Sequence, residues 1–271
     1  MSLRIQTNIE AYDAHRNLVG TQKMLATAME RLSSGFRINR AADDAAGLAI
    51  SEKLASQIGG LDQASRNAQD AVSLVQTGEG ALAEVQSMLQ RVRDLAVQFN
   101  NGTLSASDQA AITAEVAQLC AEISDIGKQT AFNGINLLNA SSTITFQVGA
   151  NDGEAMTVST VQLFGSGASA QVDSTLFAFS GTVSLSGIDK AIQDVSNARS
   201  TFGSVQNRLE HRLNNIATYE ENLQASQSRI KDVDMASEMV NFTKLQILNQ
   251  AGTSMLAQAN SAPQSVLSLL R

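Results

Sequence analysis

The chain has 271 residues and a net charge of −7. It therefore lacks the basic surface that nucleic acids and anionic membranes require, and we expect neither as a partner. Hydrophobic residues make up 43% of the chain but aromatic residues only 4%, a composition that favours long, closely packed helices over a compact aromatic core. Cys120 is the single cysteine, which excludes an intrachain disulfide.

The N-terminal stretch MSLRIQTNIEAYDAHRNLVG contains no apolar core of the length that a signal peptide needs. No apolar run elsewhere approaches the roughly 18 residues of a membrane span. Taken alone, these two features predict a cytosolic protein.

Apolar residues recur every three or four positions between residues 50 and 99, which predicts one long amphipathic helix with a single buried stripe. The segment NNGTL at 100–104 ends this helix. Ser105 and Asp108 follow with the spacing of a capping box, in which each side chain accepts a hydrogen bond from the other residue's backbone. A second stripe begins at Ile112, and because the linker is short, we expect two antiparallel neighbouring helices.

Residues 132–187 differ in kind from these helices. The stretches TITFQV and AMTVST alternate apolar and polar residues on either side of Asp152 and Gly153, which predicts a β-hairpin with a tight turn. From Ser159 to Gly187 the chain is rich in serine, threonine and glycine, which indicates a small surface segment.

Ser186 and Asp189 have the spacing of a second capping box, and apolar residues recur from 188 to 233. A helix over that range would be about 70 Å long at 1.5 Å per residue. The sequence therefore predicts an elongated rod, and the spacing near 3.5 residues is typical of coiled coils.

Both chain ends carry apolar seams of similar spacing, which we predict to pair with each other. The N-terminal seam comprises Leu18, Leu25, Met29, Leu32 and Phe36, and the C-terminal seam comprises Leu248, Ala251, Met255, Ala259, Ala262, Val266 and Leu269. Pro263, the only proline, is expected to mark a helix start or a kink. The apolar final stretch SVLSLLR predicts a partner that covers it.

No pattern in the sequence predicts catalysis. His15 and His211 lie on charged helical stretches without a second ligand or base, and Cys120 has no histidine at a plausible spacing. Asp43 and Asp44 lack the number of ligands that a metal site requires. We therefore expect no enzyme activity, no cofactor and no metal site.

Several longer stretches resemble the terminal regions of bacterial flagellins. They are LSSGFRINRAADDAAGLAIS (32–51), QRVRDLAVQ (90–98), KQTAFNGINLL (128–138), SRIKDVDMASEM (228–239) and QAGTSMLAQANSAPQSVLSLLR (250–271). The resemblance covers nearly all of residues 1–140 and 188–271, in order and at both ends. The middle is short, so the large outer domains of long flagellins are expected to be absent.

The resemblance implies a mainly α fold: an elongated rod of long antiparallel helices with coiled-coil terminal helices and a small β-hairpin region. Residues 1–43 and 234–271 would be the paired helices of the inner filament core. Residues 44–140 and 188–233 would form the helical rod, and residues 141–187 the hairpin and surface segment. The connector SSGFRINRAADD would join the two layers, with Gly35 and the aspartates ending or capping helices.

The resemblance also implies a structural function, in which subunits assemble head to tail into the flagellar filament used for swimming. The implied filament-core seam comprises Leu18, Leu25, Met29, Leu32, Leu248, Met255, Val266 and Leu269. A hook–filament junction protein is the close alternative. A chemotaxis-type signalling rod is a second alternative, and the hairpin at 143–159 disfavours it because such rods end in a tight helical tip.

Further partners and a location follow from the resemblance alone. Export through the flagellar type III channel with an uncleaved N-terminal signal implies a secreted, extracellular protein. An export chaperone would bind the C-terminal helix at about 233–271, and filament cap and hook-junction proteins would contact the filament. A host Toll-like receptor would recognise a patch at Arg91, Leu95 and Glu115.

Overall fold

The computed structural model describes the backbone of residues 8–164, 170–172, 179 and 183–269, and the side chains of 8–163, 179 and 183–261. Within these residues the fold is mainly α, as predicted. The five helices are α1 (Ile9–Ser34), α2 (Ala45–Phe99), α3 (Ala106–Gln129), α4 (Leu185–Lys231) and α5 (Met235–Leu269). Six short strands lie between α3 and α4: β1 (Ala131–Phe132), β2 (Ile135–Asn136), β3 (Thr143–Gln147), β4 (Ala155–Ser159), β5 (Gln162–Phe164) and β6 (Ala170–Val172).

The chain forms two compact units. The terminal unit comprises Met1–Ser56 and Asn222–Arg271, and the central unit comprises Gln57–Glu221. The units divide within α2 and α4, whereas the predicted boundary at 43/44 falls just before α2 begins and that at 233/234 falls between α4 and α5. The assignment of those segments to filament layers stays a prediction.

The core of the central unit follows the predicted stripe of α2. Its buried residues are Leu61, Ala64, Ala68, Ala71, Leu74, Val75, Leu82, Val85, Leu89, Val92, Leu95, Ala96 and Phe99. Helix α4 contributes a facing stripe with Phe202 and Leu209 among its fully buried members. Phe202 lies against the backbone of Gly78, where a Cβ would meet its ring at 2.9 Å, so the absence of a side chain at 78 lets the two helices pack closely.

The predicted capping box at the start of α3 is confirmed. Ser105 Oγ accepts from the N–H of Asp108, and the Asp108 carboxylate accepts from the N–H of Ser105. The second predicted capping box is wrong, because α4 already begins at Leu185. Asp189 accepts a hydrogen bond from Arg93 Nε at 2.6 Å instead, so its carboxylate joins α4 to α2.

The predicted β-hairpin is confirmed, but its turn is longer than expected. Strands β3 and β4 pair antiparallel with Gln147 opposite Ala155, and a backbone hydrogen bond from Val148 to Glu154 leaves residues 149–153 as the loop. Within the loop only Gly153 adopts a positive φ, at 85°, whereas a two-residue type I′ turn needs two such positions, so Asp152 and Gly153 do not form one.

A tighter turn lies between β1 and β2. Asn133 and Gly134 have φ angles of 49° and 80°, which is the type I′ conformation that the Asn-Gly dipeptide favours. The hairpin β3–β4 is held on the helices by Asn67 Nδ2, which donates to Gln147 O at 2.9 Å, and by Arg212 Nε, which donates to Val148 O at 3.0 Å. Side chains of α2 and α4 therefore fix the position of this hairpin through its main-chain carbonyl groups.

The connector between α1 and α2 behaves as the sequence indicates. Gly35 ends α1 in the left-handed conformation at φ 77°, a geometry that glycine adopts without steric cost. Asp44 Oδ1 accepts from the N–H of Gly47 and caps α2. Asp43 Oδ2 accepts from the N–H groups of Arg40 and Asn39, and these hydrogen bonds hold its pKa below the ordinary value.

Two glycines of α2 provide a matched test of the core. We expect Gly80→Ala to raise the free energy of unfolding by about 0.5–1 kcal/mol, because alanine is the better helix former and a Cβ at 80 meets no atom within 4 Å. We expect Gly78→Ala to lower it by about 1–2 kcal/mol, because the new methyl group must displace Phe202. Urea unfolding of both variants measures the difference, and equal effects at the two positions would contradict this packing.

The capping box makes a prediction about pH. Hydrogen bonds from the Ser105 side chain and backbone hold the pKa of Asp108 below 3.8, so the stability that this carboxylate contributes is complete above about pH 4 and is lost as the pH falls through the folded-state pKa. We expect Ser105→Ala to raise the pKa of Asp108 toward 3.8, as measured by NMR titration. Thr113→Ala is the control and should not change it, because the Thr113 hydroxyl donates to Gln109 O at 2.8 Å and takes no part in the capping box.

Candidate functional site

The terminal helices α1 and α5 form an antiparallel pair. At one end, Asn8 Nδ2 donates to Ala259 O at 2.8 Å. Further along, Leu18 lies against Gly252, where a Cβ would be 3.1 Å from Leu18 Cδ1. At the other end, Phe36 and Asp232 form an isolated antiparallel bridge. Residues close to the start of α1 thus meet residues late in α5, and the chain ends pair as predicted.

The contact face of this pair has heptad spacing. On α1, the buried or half-buried positions that recur in steps of three and four are Ala11, Ala14, Leu18, Thr21, Leu25, Ala28 and Leu32, and on α5 they are Glu238, Phe242, Leu245, Asn249, Gly252, Leu256 and Ala259. We call these residues the inner seam. A spacing of 3.5 residues keeps one face of each helix directed at its partner, as in a coiled coil.

The structure corrects the predicted seam. Leu18, Leu25 and Leu32 lie on the inner seam as expected, but Met29, Leu248 and Met255 are exposed on other faces of their helices, at 51%, 46% and 65%. The error has a physical cause: α5 is apolar on more than one side, so steps of three and four can be traced along several faces. The side chains of Val266 and Leu269 lie outside the described part of the chain.

Of the described inner-seam residues of α5, the sequence prediction included only Ala259. Phe242, Leu245 and Leu256 have strict heptad spacing with Gly252, and that regularity was the available signal. Leu248 and Met255 are also seven residues apart, so spacing alone did not distinguish the two faces of the helix. The main reason is Gly252, which takes a seam position because it admits Leu18 at close range.

An exposed apolar face remains on α5 once the inner seam is buried. Leu248 and Met255 lie on it, and beside them Val240 and Ile247 are 72% and 61% exposed. Met239, Val240, Thr243, Lys244 and Ile247 line a shallow depression of about 390 Å³. Apolar surface of this extent on a chain with a net charge of −7 is typical of an interaction surface.

The predicted receptor patch is only partly accessible. Arg91 in α2 donates to Glu115 Oε1 in α3 through Nε at 3.0 Å and Nη2 at 2.7 Å, and both side chains are about half exposed. Leu95 is 2% exposed, so its assignment to a surface patch is wrong. It belongs to the buried stripe of α2, one turn beyond Arg91 and facing the core.

The described residues contain no arrangement suited to catalysis. Burial raises the pKa of Cys120 to about 12, so this thiol is almost wholly protonated at neutral pH and is a poor nucleophile. No three His, Cys, Asp or Glu side chains within the described ranges are grouped in a way that could hold a metal ion. Likewise, none of the described helices is both long and apolar enough to span a membrane.

Comparisons with known proteins agree with this architecture. The sequence model for the bacterial flagellin N-terminal helical region matches residues 5–143, and that for the bacterial flagellin C-terminal helical region matches residues 185–270. A flagellin from Halalkalibacterium halodurans is 51% identical over 98% of this chain and 99% of its own length. A flagellar filament 33 kDa core protein from Treponema phagedenis is 44% identical over 98% of this chain and 99% of its own.

A structure described as a putative flagellar hook-associated protein from Vibrio parahaemolyticus is similar with a TM-score of 0.59, covering 70% of this chain and 100% of that one. Its sequence is only 16% identical, so this likeness concerns the fold alone. The two terminal matches together span most of the chain, and the relatives match it from end to end. The chain therefore belongs to the bacterial flagellin family.

Proposed function

We propose that this chain is a structural subunit of the bacterial flagellar filament, and that it polymerises with copies of itself through the exposed apolar face of α5. The observation that carries this proposal is the combination of the paired terminal helices with that uncovered face. Leu248 and Met255, which the heptad pairing leaves outside, are the residues that need a neighbouring subunit.

Helical geometry supports a second seam on α5. At the seven-residue repeat of the pair, Leu248, Met255 and the position of Leu269 fall on one side of the helix, roughly a quarter turn away from the inner seam, whereas position 266 continues the inner seam seven residues after Ala259. We call the positions of Leu248, Met255 and Leu269 the outer seam. A helix with two apolar seams can contact two partners at once, so the inner seam would join α1 and the outer seam would join another subunit.

Magnitudes indicate why several such residues are needed. Burying one large aliphatic side chain stabilises association by about 1.5–3 kcal/mol. The translational and rotational freedom that a subunit loses on association costs about 4–15 kcal/mol. A single contact would not hold a subunit, but Leu248, Met255 and Leu269 on the outer seam, with Met29 on α1, would together supply a comparable free energy. A head-to-tail contact between unlike faces does not close on itself, so it would generate an open helical fibre.

The same surface supports the proposed partners. An export chaperone that binds the C-terminal helix at about 233–271 would shield the face around Val240 and Ile247 before assembly. Filament cap and hook-junction proteins would meet subunits at the ends of the fibre. Export through the flagellar channel and an extracellular filament follow from the family, and the curated relatives are named as flagellins or filament core proteins. None of these names supports the hook–filament junction alternative.

The outer seam can be tested by introducing two negative charges on it. We expect Leu248→Asp combined with Met255→Asp to abolish polymerisation, because buried carboxylates would be left without partners. Since both side chains are already exposed in the single chain, its helicity and melting temperature should stay unchanged. Sedimentation and electron microscopy measure fibre formation.

The matched control for that experiment is Gln246→Asp combined with Gln250→Asp. These exposed residues add the same charge to the same helix but lie on its polar side, away from the outer seam. We expect this variant to polymerise normally. If the Leu248 and Met255 variant also formed normal fibres, the outer seam would not be the contact between subunits.

Recognition by a host Toll-like receptor is proposed for the exposed pair Arg91 and Glu115 only. An exchange of the two residues, Arg91→Glu with Glu115→Arg, would keep their ion pair and reverse the surface charge at each position. We expect unchanged thermal stability and at least a tenfold loss of activation in a receptor reporter assay. A tenfold loss corresponds to roughly 1.4 kcal/mol of lost binding free energy. Full activation by the exchanged chain would mean that the pair serves only to join α2 to α3.

A further inference from the structure

The methionines of the described residues differ in exposure between the two units. Those of the terminal unit lie on α1 and α5, and their exposed fractions range from 47% to 65%: Met24, Met29, Met235, Met239 and Met255. Those of the central unit, Met88 and Met156, are half-buried and pack against its hydrophobic core. Solvent therefore reaches the thioethers of the terminal unit much more readily than those of the central unit.

An exposed thioether is open to oxidation by peroxides. A lone pair of the sulfur attacks one oxygen of hydrogen peroxide and the O–O bond breaks. The hydroxide that leaves takes up the proton of the new S–OH group and becomes water. Sulfur has then lost two electrons to the peroxide, and methionine has become methionine sulfoxide. The product is polar, and its oxygen accepts hydrogen bonds but donates none.

Met255 has the most exposed of these thioether side chains, at 65%, and it lies on the outer seam with Leu248. When α1 and α5 are paired, it borders a depression of about 400 Å³ that the carboxylates of Glu10 and Asp13 also line. Carboxylates accept hydrogen bonds and cannot donate to a sulfoxide. Among the described side chains that line this depression, only Gln258 carries a donor. A sulfoxide covered here by a second subunit would therefore be poorly hydrogen-bonded, which is costly.

Met239 offers a comparison on the same helix. It is 50% exposed, so peroxide reaches it about as readily as it reaches Met255. Its position lies nearly on the opposite side of α5 from the outer seam. Lys244 lines the same shallow depression as Met239, and its ammonium group can donate to a sulfoxide oxygen. Oxidation at 239 would thus place a polar group outside the outer seam and next to a donor.

We propose that Met255 is a modification site for peroxide oxidants, and that its sulfoxide keeps the subunit out of the fibre. One added oxygen turns an apolar position of the outer seam into a polar one. The reaction belongs to the free chain, because a neighbouring subunit in the fibre covers the thioether. It is also reversible: thiol-dependent methionine sulfoxide reductases restore the thioether, while two thiols supply the electrons as they form a disulfide and the oxygen leaves as water.

The two parts of this inference depend on different conditions. Exposure of Met255 in the free chain does not require α1 and α5 to be paired, because an unpaired α5 exposes the same thioether at least as much. Exclusion of the oxidised chain rests on the proposed function, since it supposes that a second subunit covers the outer seam.

A partition experiment on the full chain tests the site without any substitution. The free chain is treated with hydrogen peroxide so briefly that most oxidised molecules carry a single sulfoxide. The peroxide is removed, the chain is polymerised, and fibres are separated from soluble chains by sedimentation. Trypsin cleavage after Lys244 leaves Met255 as the one methionine of peptide 245–271, and Met239 lies in the preceding peptide. Mass spectrometry with peptide fragmentation then gives the sulfoxide fraction at each position.

We expect the sulfoxide fraction at Met255 to be about tenfold lower in the fibres than in the soluble chains, the factor for burying one acceptor without a partner. The sulfoxide fraction at Met239, the matched control, should be the same in both. Met88 should be oxidised more slowly than either, because it is half-buried. Treating the soluble chains with methionine sulfoxide reductases and dithiothreitol should return them to the fibres.

Three results would overturn the proposal while leaving the proposed function intact. They are equal sulfoxide fractions at Met255 in fibres and soluble chains, a depletion at Met239 as large as that at Met255, and no return to the fibres after reduction. A different result, failure of the unoxidised chain to form fibres at all, would overturn the proposed function and this inference together.

Discussion

The pairing of α1 with α5 by heptad contacts constrains the rest of the terminal unit. Only one face of each helix can be directed at its partner, and several inner-seam positions carry small residues such as Ala28 and Gly252. The pair therefore approaches closely but leaves large apolar side chains outside, among them Ile247 and Met255. A surface of this kind is stable in water only when something covers it, which makes assembly a consequence of the packing rather than an added feature.

The central unit, by contrast, buries its apolar stripe within a single chain. Its helices bury a nearly continuous stripe, with Leu82, Val85 and Leu89 fully removed from solvent, and some of its exposed charges form ion pairs between helices, as Arg93 does with Asp189. Such pairs at the surface add little stability, but they help to define which helix faces which. The unit is thus self-sufficient within a single chain, whereas the terminal unit leaves apolar surface for other chains to cover.

Local patterns were predictable from the sequence wherever neighbouring residues decide the structure. The capping box at Ser105 and the strands of the β3–β4 hairpin required only residues close in the chain. The capping box predicted at Ser186 and Asp189 was wrong for the same reason. Spacing alone does not show that Arg93, far away in the sequence, donates a hydrogen bond to the Asp189 carboxylate. The type I′ turn at Asn133 and Gly134 had a clear sequence signal that was not used. The main-chain bonds between residues 35–37 and 231–233 could not be predicted, because they join distant segments and need no particular side-chain pattern.

The environment of Cys120 has a practical consequence for labelling the protein. A thiol with a pKa of about 12 is almost wholly protonated at neutral pH, and maleimide reagents react with the thiolate. A cysteine introduced at an exposed position such as Gln246 would therefore react far faster than the native one. Fluorophores could be attached at chosen sites without first removing Cys120, so the side chains packed around it need not be disturbed.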